Sequence, residues 1–134
     1  ICIGLQMLFE KSEEGDAEGL NILPGKVVHF PASAMVTSSG QKLKVPHMGW
    51  NQVHQTQEHP LWEGIPEEAR FYFVHSYYVE AADSTLIAAQ SNYPFSFTCA
   101  VAKDNIFAVQ FHPEKSQHAG LTLLRNFASW TPYS

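Results

Sequence analysis

Three residues have the types and spacing to carry covalent chemistry: Cys2, His112 and Glu114. Cys2 lies in Ile1-Cys2-Ile3-Gly4, followed at once by the apolar run Leu5, Met7, Leu8 and Phe9. This pattern is that of a nucleophile on a sharp strand–turn–helix corner. Such a corner needs small neighbours because backbone and helix approach closely there, and Gly4 supplies one of them. The corner also sets the sulfur at a helix N-terminus, where the dipole and the free N–H groups favour thiolate over thiol. The Ile3 amide is then directed at an oxyanion. The plain alternative is that Cys2 is a small core hydrophobe, as most free cysteines are.

His112 ends the strand-like run 106–111 and is followed by Pro113-Glu114. A residue before proline is pushed out of the α region, so His112 is predicted to be extended, and positions i and i+2 of an extended chain face one side. Imidazole and carboxylate then lie side by side, as a base and the acid that orients it require. Taken singly, His112 reads equally as a surface histidine and Glu114 as a solvated loop charge. The order Cys…His…Glu in one chain is what makes them a set. The remaining histidines show no metal-ligand spacing and Cys99 has no neighbouring cysteine, so neither a metal nor another cofactor is expected. Cys99 itself reads as core.

Positioning these residues requires elements at both ends of the chain. A buried helix is predicted from residue 4 to about residue 11. Strands are predicted at 26–30, 71–79, 86–89, 97–102 and 106–111, with Lys103-Asp104-Asn105 as a hairpin turn between the last two. Segment 46–51, Pro-His-Met-Gly-Trp-Asn, reads as an interruption of regular structure, and 59–66 as a single helical turn bounded by prolines. Residues 120–130 form a closing helix with Leu121, Leu124 and Phe127/Ala128 on its apolar face.

Composition narrows the class. The chain has 134 residues, 45% hydrophobic and 16% charged, the make-up of an ordinary globular domain. A domain this size buries about two-thirds of the surface its unfolded chain exposes. Its net charge is −5, and its eight Lys and Arg are scattered, which argues against a nucleic-acid or anionic-membrane surface. No apolar stretch approaches the ~20 residues of a membrane span. Two cysteines make no disulfide framework, and a reducing cytoplasmic setting is expected. The opening on Ile1-Cys2-Ile3-Gly4 reads like the middle of a domain, and a fragment or the latter part of a longer polypeptide is expected.

Cys2-Ile3-Gly4-Leu5-Gln6 together with Gln110-Phe111-His112-Pro113-Glu114 resembles the paired signature of the class I (triad) glutamine amidotransferases. Pro46-His47-Met48-Gly49-Trp50-Asn51, Phe71-Tyr72-Phe73-Val74-His75-Ser76-Tyr77 and His112-Pro113-Glu114-Lys115-Ser116 make it similar to one branch, the glutaminase subunits of imidazole glycerol phosphate synthases. The resemblance covers the whole chain. It implies a flavodoxin-like α/β domain lacking its N-terminal strands, helices and glycine-rich oxyanion loop. It implies hydrolysis of glutamine to glutamate and ammonia, the ammonia passing to a (βα)8-barrel cyclase subunit in a heterodimer of histidine biosynthesis. Cys2 would attack the amide, His112 would shuttle protons and Glu114 would orient His112. Gln6 and the backbone of Ser76 and Tyr77 would hold the substrate, Glu14 would pair with its α-ammonium group, and Trp50, Tyr72 and Lys115 would face the barrel.

The residues bear on these roles independently. Gln6 lies one helical turn from Cys2 and can share its face. Glu14 is either a counter-ion or, with Glu13, a solvated acidic turn. Trp50 is either a core aromatic or an interface residue, and its position between Gly49 and Asn51 favours the interface. Competing functions are another triad amidotransferase (of anthranilate, guanylate or pyridoxal phosphate synthesis), a stand-alone γ-glutamyl thiol hydrolase, and a non-catalytic module that keeps the fold.

Overall fold

A computed structural model describes residues 1–132. In chain order the elements are helix α1 (Ile3–Met7) and strands β1 (Lys11–Ser12), β2 (Ala17–Glu18), β3 (Gly25–His29), β4 (His47–Gln52) and β5 (His54–Gln55). Then follow β6 (Arg70–His75), β7 (Tyr77–Ala81), β8 (Ile87–Asn92), β9 (Ser96–Lys103), β10 (Ile106–Val109) and helix α2 (Gln117–Ser129). Single 3₁₀ turns occupy Glu14–Asp16, Ala32–Ala34, Pro60–Trp62, Ser84–Leu86 and Pro113–Lys115. No helix among the described residues is long and apolar enough to cross a membrane.

The architecture is a mixed α/β domain around a central sheet ordered β2-β1-β3-β7-β9-β8-β5, with β10 also paired to β9. Parallel pairing is confined, among the described residues, to β1 with β3; the other ladders are antiparallel. β9 is the organising strand and is buried along 97–102. β8 runs along one of its edges, so the other edge is shared: Thr98 pairs with Val79 of β7, and Ala100 to Lys103 pair with β10. The turn between β9 and β10 is tight as expected, with Asp104 at φ 52.

Apolar residues collect in two clusters on the two faces of this sheet. Val101 joins Leu5, Phe9, Val27 and Val79, while its neighbours Ala100 and Ala102 join Phe30, Phe71, Phe73, Phe97, Phe111 and Leu123. Successive strand residues point to opposite faces, which separates Val101 from Ala100 and Ala102; the consecutive Cys99 and Ala100 share one cluster at the register shift between β8 and β9. Each fully buried Phe contributes about 2–3 kcal/mol. Cys99 is fully buried, as expected.

Four expectations are corrected. The first helix stops at Met7, because Phe9 turns into the core against Gly25 and Lys11-Ser12 are drawn into the sheet beside β3. The single strand 71–79 is two strands broken at Ser76, with β6 leaving the central sheet to pair with β4. Segment 46–51 is not irregular: His47 to Gln52 pair residue by residue with His75 to Arg70, and Gly49 takes φ 131, which side chains avoid. Finally, α2 buries Gly120 and Leu123, while Leu121 and Phe127 are exposed. The helix is rotated because Gly120 sits against the carbonyl of Pro113 and Asn126 donates to the Leu61 and Glu63 carbonyls.

Candidate active site

Cys2 occupies a strained corner. Its φ of 53 and ψ of −111 lie outside the favoured regions for a residue with a side chain, a conformation costing about 1–3 kcal/mol. Its N–H donates to the Val109 carbonyl at the end of β10 (2.8 Å), and its own carbonyl accepts from the amides of Leu5 (3.1 Å) and Gln6 (3.4 Å) as α1 begins. The chain thus leaves the sheet edge and enters a helix within one residue. The close packing expected at Gly4 is not found: among the described residues nothing lies within 4 Å of where its Cβ would stand.

The half-buried sulfur lies 3.9 Å from the Val74 carbonyl and 3.8 Å from Nε2 of Gln110. Burial pushes the Cys2 thiol up and the Glu114 carboxylate adds to it, outweighing the stabilisation of thiolate by the Ile3 and Gln110 amides. The expectation of a resting thiolate is therefore overturned. A five-residue helix brings too little dipole to offset the lost hydration.

His112 is extended (φ −105, ψ 96), as Pro113 requires, but Glu114 meets it through a turn rather than along a strand. The Pro113–Lys115 turn folds the carboxylate back so that His112 Nδ1 lies 2.9 Å from Glu114 Oε1. A carboxylate accepts, so Nδ1 carries the proton and Nε2 is left as the basic nitrogen. The backbone of His112 is held just as closely. Its N–H donates to the Tyr72 carbonyl (2.9 Å), and its carbonyl accepts from the hydroxyl of buried Ser116 (2.6 Å), which itself accepts from the Tyr72 N–H (2.9 Å).

Strand β6 brings the two ends of the chain together. Tyr72 holds His112, and two residues on, the Val74 carbonyl faces the Cys2 sulfur. Residues two apart on a strand repeat about every 6.6 Å on the same edge, so Cys2 and His112 are anchored along one edge of β6.

The other site residues are placed unevenly. Gln6 is buried next to the corner and donates to Gln110 Oε1 (3.3 Å) and the Tyr77 carbonyl (3.4 Å). The Ser76 carbonyl accepts from the Phe30 N–H (3.1 Å), so the carbonyls of both Ser76 and Tyr77 are engaged within the protein. Glu14 stands in an exposed turn, and among the described residues no hydrogen bond or ion pair joins its carboxylate to the corner. Its neighbour Glu13 is the one used structurally, accepting from the His29 N–H (2.7 Å). Trp50 and Tyr72 face each other across β4 and β6, their rings edge to face at 6.0 Å, with Met48 and Trp50 exposed. Lys115 is exposed in the turn beside Glu114. Sequence reasoning missed Gln110 as a site residue. It is fully buried and spans Gln6 and Cys2, and its sequence signal is a polar residue inside the apolar run Ala108-Val109-Gln110-Phe111.

Known proteins are similar to this chain in sequence. The imidazole glycerol phosphate synthase subunit HisH of Nitrosospira multiformis is 71% identical over 132 residues, covering 98% of this chain and 62% of the relative. The proteins of the same name from Aromatoleum aromaticum (65% identical, 98% and 62% covered) and Thiobacillus denitrificans (66%, 98% and 58%) are similarly close. The chain thus spans about three-fifths of the length of these curated relatives. A crystal structure from Thermoplasma acidophilum, of a protein assigned as part of a GMP synthase, superposes with a TM-score of 0.55 over 77% of this chain and 46% of the other. At 22% identity that likeness speaks for the fold alone. The family model of glutamine amidotransferase class-I matches residues 1–129, and the chain belongs to that family.

Proposed function

We propose that the protein is the glutaminase component of an imidazole glycerol phosphate synthase, hydrolysing L-glutamine to glutamate and ammonia for a (βα)8-barrel cyclase subunit. The observation that carries the chemistry is the anchoring of Cys2 and His112 to one edge of β6, with Glu114 on the far nitrogen of the imidazole. The names of the relatives support the choice of synthase over other amidotransferases.

In this reading Nε2 of neutral His112 takes the Cys2 proton as the sulfur attacks the side-chain amide carbon of glutamine. The carbonyl oxygen becomes an oxyanion facing the Ile3 N–H at the start of α1. The imidazolium, stabilised by Glu114, returns the proton to the amide nitrogen, the C–N bond breaks and ammonia leaves a thioester on Cys2. Nε2 then deprotonates a water that attacks the thioester, and the sulfur leaves as glutamate is released. A thiol raised by burial suits this scheme, because proton transfer and attack are then coupled. Gln6, Ser76 and Tyr77 hold the substrate, and the exposed carboxylate of Glu14 is the counter-ion of its ammonium group. The outer face of the β4–β6 pair, bearing Trp50 and Tyr72, together with Lys115, docks the barrel in a cytoplasmic heterodimer. Trp50, exposed and edge to face with Tyr72, is the kind of aromatic side chain that interfaces favour.

The test is glutamate release by the whole protein assembled with its barrel subunit, with and without the Cys2→Ala substitution. Loss of at least ~10³-fold in kcat is expected, together with labelling of Cys2 and not of buried Cys99 by a diazo-ketone glutamine analogue. A fully active Cys2→Ala enzyme, labelled at Cys99, would sink the reading.

A further inference from the structure

Two histidines outside the proposed catalytic set are buried side by side. His47 on β4 is 3% exposed and His75 on β6 is 5% exposed, and they pair across the ladder. His47 stacks on Tyr93 (4.0 Å) and Phe73 (4.8 Å), and His75 is flanked by Phe30 and Phe97, each at 5.3 Å. A pocket of this kind accepts phenylalanine at lower desolvation cost than imidazole, so the return on two imidazoles must lie in their hydrogen bonds.

Those hydrogen bonds allow one arrangement of protons. Nδ1 of His75 lies 2.8 Å from the Tyr77 carbonyl, which can only accept, so His75 carries its proton on Nδ1. Burial holds both rings neutral, with the His47 pKa lowered to about 3 and that of His75 to about 4, so Nε2 of His75 is an acceptor. The contact between His47 Nδ1 and His75 Nε2 (3.0 Å) is then donated by His47, whose own Nε2 must accept from Asn51 Nδ2 (3.2 Å). The second Asn51 proton goes to the Asn92 carbonyl (2.8 Å), and its oxygen accepts from the Gln52 N–H (2.8 Å), which fixes the amide orientation.

The chain of donors therefore runs one way, from Asn51 through His47 and His75 to the Tyr77 carbonyl. That carbonyl is also the acceptor for Gln6, which donates in turn to Gln110, whose Nε2 faces the Cys2 sulfur. We infer that the His47–His75 pair is a positioning device: by fixing the Tyr77 carbonyl it orients Gln6 and Gln110 beside Cys2, and so sets the affinity for the amino-acid substrate. The substrate part of this inference rests on the glutaminase reading given above; the proton arrangement does not.

Two readouts test it in the whole protein assembled with its barrel subunit. In histidine-labelled protein, ¹⁵N spectra should show both rings as neutral Nδ1–H tautomers between pH 6 and 8. The opposite tautomer is the one free imidazole prefers, so finding Nε2–H or an imidazolium at either ring overturns the inference. In kinetics, His75→Phe fills the pocket without a donor, and His75→Asn keeps an N–H near the Nδ1 position. His75→Phe should raise KM for glutamine about 10-fold with kcat within about 3-fold, and His75→Asn should recover most of that loss. A native KM in folded His75→Phe, or an asparagine variant no better than the phenylalanine one, also overturns it. A wild-type complex without glutaminase activity would instead refute the function proposed above, and the ring tautomers would still decide the pair's arrangement.

Discussion

Glu114 lets its contribution be separated from that of the groups it serves. It is half exposed and meets Nδ1 of His112, so in the proposed function its work is to hold Nδ1–H and to stabilise the imidazolium. Glu114→Gln keeps the shape and an acceptor but removes the charge. Solvent already screens a carboxylate this open, so kcat should fall by about 10- to 10³-fold, less than for a buried triad acid, with KM little changed. A steady-state comparison in the assembled enzyme checks this, and a shift in KM alone would contradict it. The His112–Glu114 contact was legible in the sequence because Pro113 constrains it locally. Gln110 was not, because its meaning depends on a contact with Cys2 made 108 residues away. The resting state of Cys2 was misread for a related reason: the local pattern announces a helix start, but only the fold reveals how deeply the sulfur is buried.

Among the elements, the turn between His112 and α2 is closely packed at Gly120. A Cβ on Gly120 would stand 1.9 Å from the Pro113 carbonyl oxygen and 2.8 Å from the Ser116 side chain. An alanine inside a helix is ordinarily worth about 1 kcal/mol over glycine. Here the backbone clash reverses the sign, and Gly120→Ala should destabilise by about 1–3 kcal/mol in urea unfolding. Because the same turn carries Glu114 and Ser116, kcat should drop with stability; a more stable Gly120→Ala protein would show that the turn has slack. The sequence located both helices but misjudged their faces and ends. A helical stripe identifies an apolar side, while the docking of Gly120 and Asn126 decides which side is inward. Similarly, Phe71, Phe73, His75 and Val79 keep one alternation through Ser76, so periodicity gave no sign that β6 and β7 belong to different sheets.

For the molecule as a whole, the buried imidazoles set a limit at acid pH. His47 and His75 are neutral in the folded state down to about 3 and about 4, but take up protons near 6.5 once unfolded. The unfolded state therefore binds more protons below pH 6.5, and stability is lost as pH falls through that value, the loss levelling off as the folded rings protonate near 4 and then 3. At about 1.4 kcal/mol per pH unit and site, the cost at pH 5 is on the order of 4 kcal/mol. His47→Asn, with one such group fewer, should show about half the slope of unfolding free energy between pH 6.5 and 4.5; an unchanged slope would assign acid sensitivity to other groups.

The tie between Cys2 and the Val109 carbonyl has a further consequence for assembly. It closes about four-fifths of the described chain into one loop, and closing a flexible loop of that length costs roughly 4 kcal/mol of chain entropy. No local segment contains both Cys2 and His112, so their meeting at β6 depends on long-range contacts. In the proposed function the thiol therefore meets its base only in the assembled fold.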